Sequence, residues 1–239
     1  MFTRVLVGVD GEQGGRDAIA LAKQLGGPEA SIALAHVYGA GLMPGAGAAL
    51  LLGAELEESE RLLEYARRAA APGAQLISCA DHSIGRALHL LAEEQGFDLI
   101  VIGACRHGFI GRRLVGNDTI AVLNGAPCPI AVAPHRFAEH PHDLVSLGVG
   151  YDGSPESERA LEIATRLRSG SNSTVLTLGE PSEDLASFGE QVDLLIVGLP
   201  GSGPAGRLRH GSPLNRLARD TPCPLLVIPL SGAKGAAAA

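Results

Sequence analysis

The sequence predicts an α/β fold made of two open, twisted parallel-sheet domains in tandem, the second of them shortened. Short continuous apolar runs alternate with stretches of helical periodicity along the 239 residues, as in a parallel sheet covered by helices on both faces. The chain also repeats itself, because two segments begin alike and two segments end alike. The core must be built from aliphatic residues, since aromatic residues make up 3% of the chain and Trp is absent.

Both repeats begin with an apolar strand that ends in Asp-Gly, at Asp10 and at Asp152, and that leads into a helix. Asp-Gly is a strong turn pair, so each carboxylate has a local capping role beside any contact with a ligand. Both repeats end with a strand that starts at a Pro-Cys-Pro triplet, around Cys128 and Cys223. The predicted organisation is a first domain over residues 1–136, a linker over 137–143, a second domain over 144–230 and a disordered tail over 231–239.

The first repeat is the longer one. In its longest helix, Leu52, Leu56 and Leu63 recur at helical spacing, with glutamates on the other faces. In chain order we predict a strand at 4–10, a helix at 15–25, a strand at 31–38, a helix at 48–70, a strand at 74–80, a helix at 84–95, and strands at 98–103 and 126–134.

The second repeat is predicted to lack about one helix–strand unit. After its first strand, its segments are a helix at 154–168, a strand at 174–178, a weakly helical stretch at 181–191, strands at 192–197 and 221–229, and between these two strands a loop and a short helix at 213–219.

A glycine-rich loop follows the strand at 192–197. Glycine lets the backbone approach a ligand closely, and free N–H groups at a helix start attract an anion. Ligand crevices in parallel sheets lie at the carboxyl ends of the strands, so this loop and Asp152 are expected at one edge. The motif is G-x2-G-x9-G-S and consists of Gly198, Gly201, Gly211 and Ser212.

These residues resemble the universal stress protein family, and the resemblance covers residues 4–134 and 144–229. It implies a Rossmann-like, adenine nucleotide alpha hydrolase-like fold that binds an adenine nucleotide, ATP with Mg2+, in the second domain. In that family the strand-ending Asp lies by the adenosine, the first glycine lines the ribose side, and the later residues hold phosphates. Pro213 departs from this pattern because it has no N–H to donate. The implied binding residues are Asp152, Gly198, Gly201, Gly211 and Ser212.

The first repeat departs from the family's loop at two positions. Gly103 and Gly116 keep the outer spacing, but Arg106 replaces the middle glycine and Asn117 replaces the Ser or Thr. The side chain of Arg106 either fills the space that the phosphates need or pairs with a phosphate. Asn117 still suits a helix N-cap. With Asp10, these four residues form a weaker candidate site, and we expect the second repeat to bind if only one does.

Other classes of function are disfavoured by composition and motifs. A net charge of −7 and a pI near 5.6 argue against nucleic-acid binding. We expect no signal peptide and no membrane span, because no apolar run is long enough, and the four cysteines, without a CxxC pair, indicate a reduced, cytoplasmic protein. His135, His140 and His142 lie in the linker without a carboxylate cluster, so we expect no metal site.

We expect no catalytic residues. The chain has no P-loop lysine, and the GxGxxG match at 201–206 lacks the helix and the acidic residue that a dinucleotide site requires. Ser212 near His210 lacks the geometry of an activated nucleophile, so at most slow ATP hydrolysis is expected.

The resemblance implies a stress-response regulatory protein whose two domains pack as an internal pseudo-dimer. Members of the family commonly pair through their last strands, so 128–133 and 223–228 are the expected meeting edges, and this pairing also covers exposed strand edges. A homodimer and an unidentified protein partner are further expectations. The alternative is a nucleotide-free interaction module with two vestigial loops. A true ATP-hydrolysing enzyme would need a base and a charge clamp that the sequence does not offer.

Overall fold

The computed structural model describes residues 1–39, 46–104, 117–169, 174–178, 185–199, 217–218 and 221–229. The N-terminal half consists of β1 (Arg4–Gly8), α1 (Gln13–Gly26), β2 (Ser31–Tyr38), α2 (Ala46–Ala70), β3 (Gln75–Ala80), α3 (Ile84–Gln95), β4 (Leu99–Gly103), α4 (Asn117–Leu123) and β5 (Ile130–Ala133). The C-terminal half consists of β6 (Ser146–Gly150), α5 (Pro155–Ser169), β7 (Thr174–Leu178), α6 (Leu185–Gly189), β8 (Leu194–Leu199) and β9 (Leu225–Pro229).

The nine strands of the described residues form one sheet in the order β3-β2-β1-β4-β5-β9-β8-β6-β7. Neighbouring strands are parallel within each half. The halves meet where β5 and β9 pair antiparallel, with Ile130 opposite Val227 and Ala131 opposite Leu226. The predicted α/β fold with an open, mostly parallel sheet is confirmed, and the two strands expected at the meeting edge are hydrogen-bonded neighbours.

The C-terminal half repeats the strand order of the N-terminal half without a counterpart of β3. Its order, β7-β6-β8-β9, matches β2-β1-β4-β5. Residues 179–184 are all that separate β7 from α6. Six residues are too few for the helix and strand that stand between β2 and α3 in the N-terminal half. As a result β7 is the outer strand of the sheet on this side.

Helices cover both faces of the sheet, and the strands alternate between two apolar layers. Val5 and Val7 of β1 pack in the layer that holds α1, α2 and α5, whereas Leu6 packs in the layer with α3 and α4. Both layers continue across the β5–β9 junction, since Ala131 and Leu226 belong to the first and Ile130 and Val227 to the second. The two halves therefore share one continuous core.

The two halves also share a hydrogen-bonded corner at the start of their first strands. Asp98, before β4, accepts hydrogen bonds from the N–H groups of Thr3 and Arg4, at 2.8 and 2.9 Å. Asp193, before β8, accepts hydrogen bonds from the N–H and hydroxyl of Ser146, at 2.7 and 2.8 Å. These hydrogen bonds lower the pKa of Asp193, against an opposing effect of its partial burial. An aspartate at the corresponding position of each half thus fixes the start of that half's first strand.

The segment after β5 packs on α1 more closely than a polar linker would suggest. The fully buried carboxylate of Asp17 accepts hydrogen bonds from the N–H groups of Arg136 and Ala138, both at 2.8 Å. Between them, Phe137 is 3% exposed and belongs to the core. Arg136 adopts a positive φ of 66°, which this tight turn requires. Asp17 therefore fixes the path of the chain as it leaves the N-terminal half.

The long helix α2 is only partly buried. Leu63 is 1% exposed, but Leu52 and Leu56 are 39% and 37% exposed, so the leucine spacing predicts the helix correctly and its buried stripe only in part. No helix among the described residues has the length and apolar character that crossing a membrane requires.

Candidate functional site

A cleft of about 190 Å³ opens at the carboxyl ends of β1, β2 and β4, the edge at which parallel sheets bind ligands. Its described lining combines aliphatic side chains, bare glycine backbone and three polar residues. The aliphatic residues are Val9, Ala35, Val37, Ile84, Leu88, Ile102 and Val122. The glycines are Gly8, Gly14, Gly15 and Gly103, and the polar residues are Asp10, His36 and Thr119. We call this the N-terminal cleft.

Asp10 caps the turn that joins β1 to α1. Its Oδ1 accepts hydrogen bonds from the N–H groups of Glu12 and Gly15, at 2.9 and 3.1 Å. Gly11, between them, has a φ of +79°, a conformation that strongly favours glycine. The turn role expected for Asp-Gly is therefore present, and it holds the carboxylate at the wall of the cleft.

Gly103, the last residue of β4, lies directly against the first turn of α1. A Cβ at this position would be 2.5 Å from both Cα and the carbonyl carbon of Gly14, closer than real contacts permit. Gly14 and Gly15 give the first turn of α1 two positions without a side chain; that turn has no acidic residue, and Glu12 is the N-cap residue. The carboxylate of Asp10 lies at this end of the helix, because it accepts the N–H of Gly15 and because a Cβ on Gly14 would be 3.3 Å from its Oδ2. The helix dipole favours an electronegative group there.

His36, on β2, is held by a chain of hydroxyl groups from two other elements. Its Nδ1 lies 2.9 Å from Oγ of Ser59 on α2, and that hydroxyl donates to Oγ of Ser78 on β3, also at 2.9 Å. The imidazole is thus joined to both hydroxyl groups, and the direction of its hydrogen bond with Ser59 is set by the tautomer of the ring. Burial lowers the pKa of His36, with a partial offset from the nearby carboxylates of Asp10 and Glu58.

Thr119, on α4, is a buried polar residue in the wall of the cleft. It is 1% exposed, and its Oγ1 has no hydrogen-bond partner within the described part of the chain. Its helix is fixed against α3, because a Cβ on Gly85 would lie 2.5 Å from the carbonyl carbon of Ala121 and because Nε2 of His89 lies 2.7 Å from the carbonyl oxygen of Val122. Sequence reasoning missed both Thr119 and His36.

The predicted site residues are only partly within the described chain. Asp10 and Gly103 come together in the N-terminal cleft. Asn117 begins α4. Asp152 and Gly198 occupy the corresponding edge of the C-terminal half. The other predicted residues, Arg106, Gly116, Gly201, Gly211 and Ser212, lie outside the described residues.

Asp152 and Gly198 have the same local roles as their N-terminal counterparts. Oδ1 of Asp152 accepts a hydrogen bond from the N–H of Ser154 at 2.9 Å, and hydrogen bonds from Ser154 lower the pKa of Asp152. Gly198 lies within β8 rather than in the loop expected after residue 197, since it pairs with Ile228. A Cβ on Gly198 would be 2.5 Å from the carbonyl carbon of Glu156 in α5. The first glycine of each loop is thus required by strand–helix packing.

The two edges differ in the residues that stand around these shared positions. The first turn of α5 carries Glu156 and Glu158, and Glu156 occupies the place that Gly14 has in α1. In the sheet, Leu178 pairs with Gly150, whereas the smaller Ala35 pairs with Gly8. An acidic residue in the first turn repels an anionic ligand; α5 has two such residues, whereas α1 has none in its first turn and carries Glu12 at its N-cap.

The chain is similar in sequence to known proteins over its first 134 residues and similar in fold over almost its whole length. The model of the Universal stress protein family matches residues 1–134. A curated Thermus aquaticus relative, "Universal stress protein in QAH/OAS sulfhydrylase 3'region", is 36% identical over 56 residues, which are 23% of this chain and 41% of that protein. The chain therefore matches less than half the length of this relative.

Two solved structures share the fold across almost the whole chain. A universal stress protein from Archaeoglobus fulgidus has a TM-score of 0.66 at 14% identity, with 95% of this chain and 98% of that chain covered. A putative universal stress protein from Pseudomonas aeruginosa has a TM-score of 0.60 at 14% identity, with 96% and 94% covered. With more than half of its residues matched by the family model, the chain belongs to the universal stress protein family.

Proposed function

We propose that the protein binds an adenine nucleotide, ATP with Mg2+, in the N-terminal cleft, and that it acts as a regulatory protein rather than as an efficient enzyme. The observation that carries this proposal is the cleft itself. Aliphatic walls suited to a flat base stand beside the start of α1, where Gly14 and Gly15 have no side chains and the helix dipole favours electronegative groups. Binding would stabilise the conformation in which α1, α4 and β4 face one another.

The size of the cleft fits part of a nucleotide. Its volume of about 190 Å³ is below the roughly 300–1,000 Å³ of pockets that enclose a whole drug-sized ligand. The aliphatic walls suit the nucleoside, because burying a phosphate among them would be costly. Mg2+, when bound, would come with the phosphates, since it is usually held by substrate phosphates, water and one or two carboxylates.

The second candidate is the site that the loop motif predicts in the C-terminal half. The intact spacing from Gly198 to Ser212 favours it, whereas Glu156 at the start of α5 favours the N-terminal cleft. We propose further that the halves are two units of the family joined through β5 and β9. The repeated strand order and the matching roles of Asp98 and Asp193 support this interpretation.

Calorimetric titration of the full chain with ATP and Mg2+ separates these possibilities. Gly14→Glu places in α1 the residue that α5 has, and Gly14→Ala is its matched uncharged control. Gly201→Arg places in the C-terminal loop the arginine that the N-terminal loop has. The proposal expects Gly14→Glu to abolish binding of about one ATP per chain, and expects Gly14→Ala and Gly201→Arg to retain it.

Other outcomes of these titrations would change the proposed site or the proposed function. Loss of binding in Gly201→Arg, with normal binding in Gly14→Glu, would move the site to the C-terminal half. Absence of any heat or melting shift at millimolar ATP in the wild type would refute nucleotide binding and favour the nucleotide-free interaction module. Steady release of phosphate at an enzymatic rate would refute the regulatory assignment, because the proposal allows only slow turnover. A cytoplasmic location and a protein partner stay predictions.

A further inference from the structure

The hydroxyl of Thr119, in the wall of the N-terminal cleft, is a buried polar group without a hydrogen-bond partner among the described residues. Thr119 is 1% exposed, lines the cavity, and has no hydrogen-bond partner for Oγ1 among the residues that the structure describes. Buried hydroxyl groups in native proteins nearly always have a partner, and leaving one unpaired is destabilising. Oγ1 itself is buried behind the wall, so a partner in the cavity reaches it once χ1 rotates and brings the hydroxyl to the wall.

The repeat indicates that the fold does not need a hydroxyl at this position. Thr119 stands three residues after Gly116, and the residue three places after Gly211 is Leu214. The second repeat therefore has an apolar residue at the sequence position where the first repeat has a hydroxyl. Of the two corresponding positions, only the one in the N-terminal repeat offers a hydroxyl to a ligand.

We propose that Oγ1 of Thr119 is a ligand contact that hydrogen-bonds the nucleoside part of the bound nucleotide, an inference that rests on the proposed function. Its neighbours in the wall, Ile102, Leu88 and Val122, are aliphatic, which suits an uncharged base or sugar and disfavours a phosphate. Threonine in a helix populates two χ1 rotamers, so the hydroxyl and the methyl group exchange places at the wall by one rotation. The bound ligand selects the rotamer that points Oγ1 at it.

The test compares Thr119→Val, which replaces the hydroxyl by a methyl group of similar size, with Thr119→Ser, which keeps the hydroxyl. Without ligand, Thr119→Val is expected to raise Tm by about 2–4 °C, because it removes an unpaired buried hydroxyl. In titrations with ATP and with adenosine, the same variant is expected to lose affinity by about 10-fold for both ligands. Thr119→Ser is expected to lower Tm and to bind both ligands within about 3-fold of the wild type.

A rise in stability joined to a loss of affinity is a pattern that a merely structural threonine does not produce. A lower Tm for Thr119→Val in the absence of ligand would show that the hydroxyl supports the fold, and would overturn the inference. Unchanged affinity of this variant, with normal binding by the wild type, would overturn the inference and leave the proposed function standing. Loss of affinity for ATP but not for adenosine would overturn the assignment to the nucleoside. No binding of either ligand by the wild type would overturn both proposals.

Discussion

Replacing Gly198 by Ala is expected to destabilise the protein in the complete absence of nucleotide. The new Cβ would lie 2.5 Å from the carbonyl carbon of Glu156, whereas ordinary contact begins at 3.4 Å, so the first turn of α5 must move from β8 by about 1 Å. The new Cβ and the carbonyl carbon of Glu156 are both fixed to the backbone, so neither can move away by rotation of a side chain. Overpacking of this kind costs about 1–3 kcal/mol in the free energy of unfolding. Gly103→Ala is expected to behave alike, because its Cβ would meet the backbone of Gly14.

Urea denaturation of the ligand-free protein measures this loss, and Gly53→Ala provides the matched control. Gly53 is exposed in the interior of α2, with nothing within 4 Å of its Cβ position. There the same substitution is expected to stabilise the protein by about 0.5–1 kcal/mol, because alanine favours a helix. An unchanged urea midpoint in both Gly198→Ala and Gly103→Ala would refute the packing explanation, and would mean that ligand binding alone requires these glycines.

Two further predictions concern buried polar groups. Asp17→Ala is expected to lower the free energy of unfolding, measured by urea denaturation, by about 2–4 kcal/mol, because it leaves the N–H groups of Arg136 and Ala138 unpaired. Asp17→Asn keeps one acceptor and should lower it by less. Equal stability of the alanine variant and the wild type would contradict this prediction. Burial lowers the pKa of His36 and of His89 below the ordinary value of 6.5. At pH values between the lowered pKa values and 6.5, the unfolded chain therefore binds more protons than the folded chain. Their contribution to stability is complete above 6.5 and is lost as the pH falls from 6.5 through the lowered pKa values. The urea midpoint should therefore drop as the pH falls below 6.5, and should drop less in a variant with glutamine at both positions; an equal drop in that variant would assign the loss to other groups.

Much of the fold follows from local sequence patterns. The strands are continuous apolar runs between glycine, proline and acidic residues, and Ser31–Tyr38, Ile84–Gln95 and Thr174–Leu178 have the bounds that their patterns predict. The resemblance to the family also predicts which strands meet, since its members commonly pair through their last strands. The boundary after β5 was less predictable. Phe137 sits among polar residues in the sequence, and the hydrogen bonds that Asp17, more than a hundred residues earlier, accepts from its two neighbours help to hold it in the core.

The cleft shows why sequence patterns give a site only in part. Asp10 and Gly103 are predictable because each ends a strand of the expected edge. The chain of hydrogen bonds from His36 to Ser59 and Ser78 joins three elements that no spacing rule connects. A lone histidine in an apolar strand is a weak signal, and a serine inside a long helix is weaker still.

The packing of Gly103 and Gly198 bears on what a surviving motif means. If strand–helix contact alone demands glycine at both positions, the first glycine of the loop persists whether or not a half still binds a ligand. Asp10 and Asp152 likewise persist as caps of their turns. Residues that the fold does not need carry more information about binding. By that criterion the hydroxyl of Thr119, which has no partner among the described residues, supports the proposed site in the N-terminal cleft more strongly than the glycine that begins the C-terminal loop supports a site there.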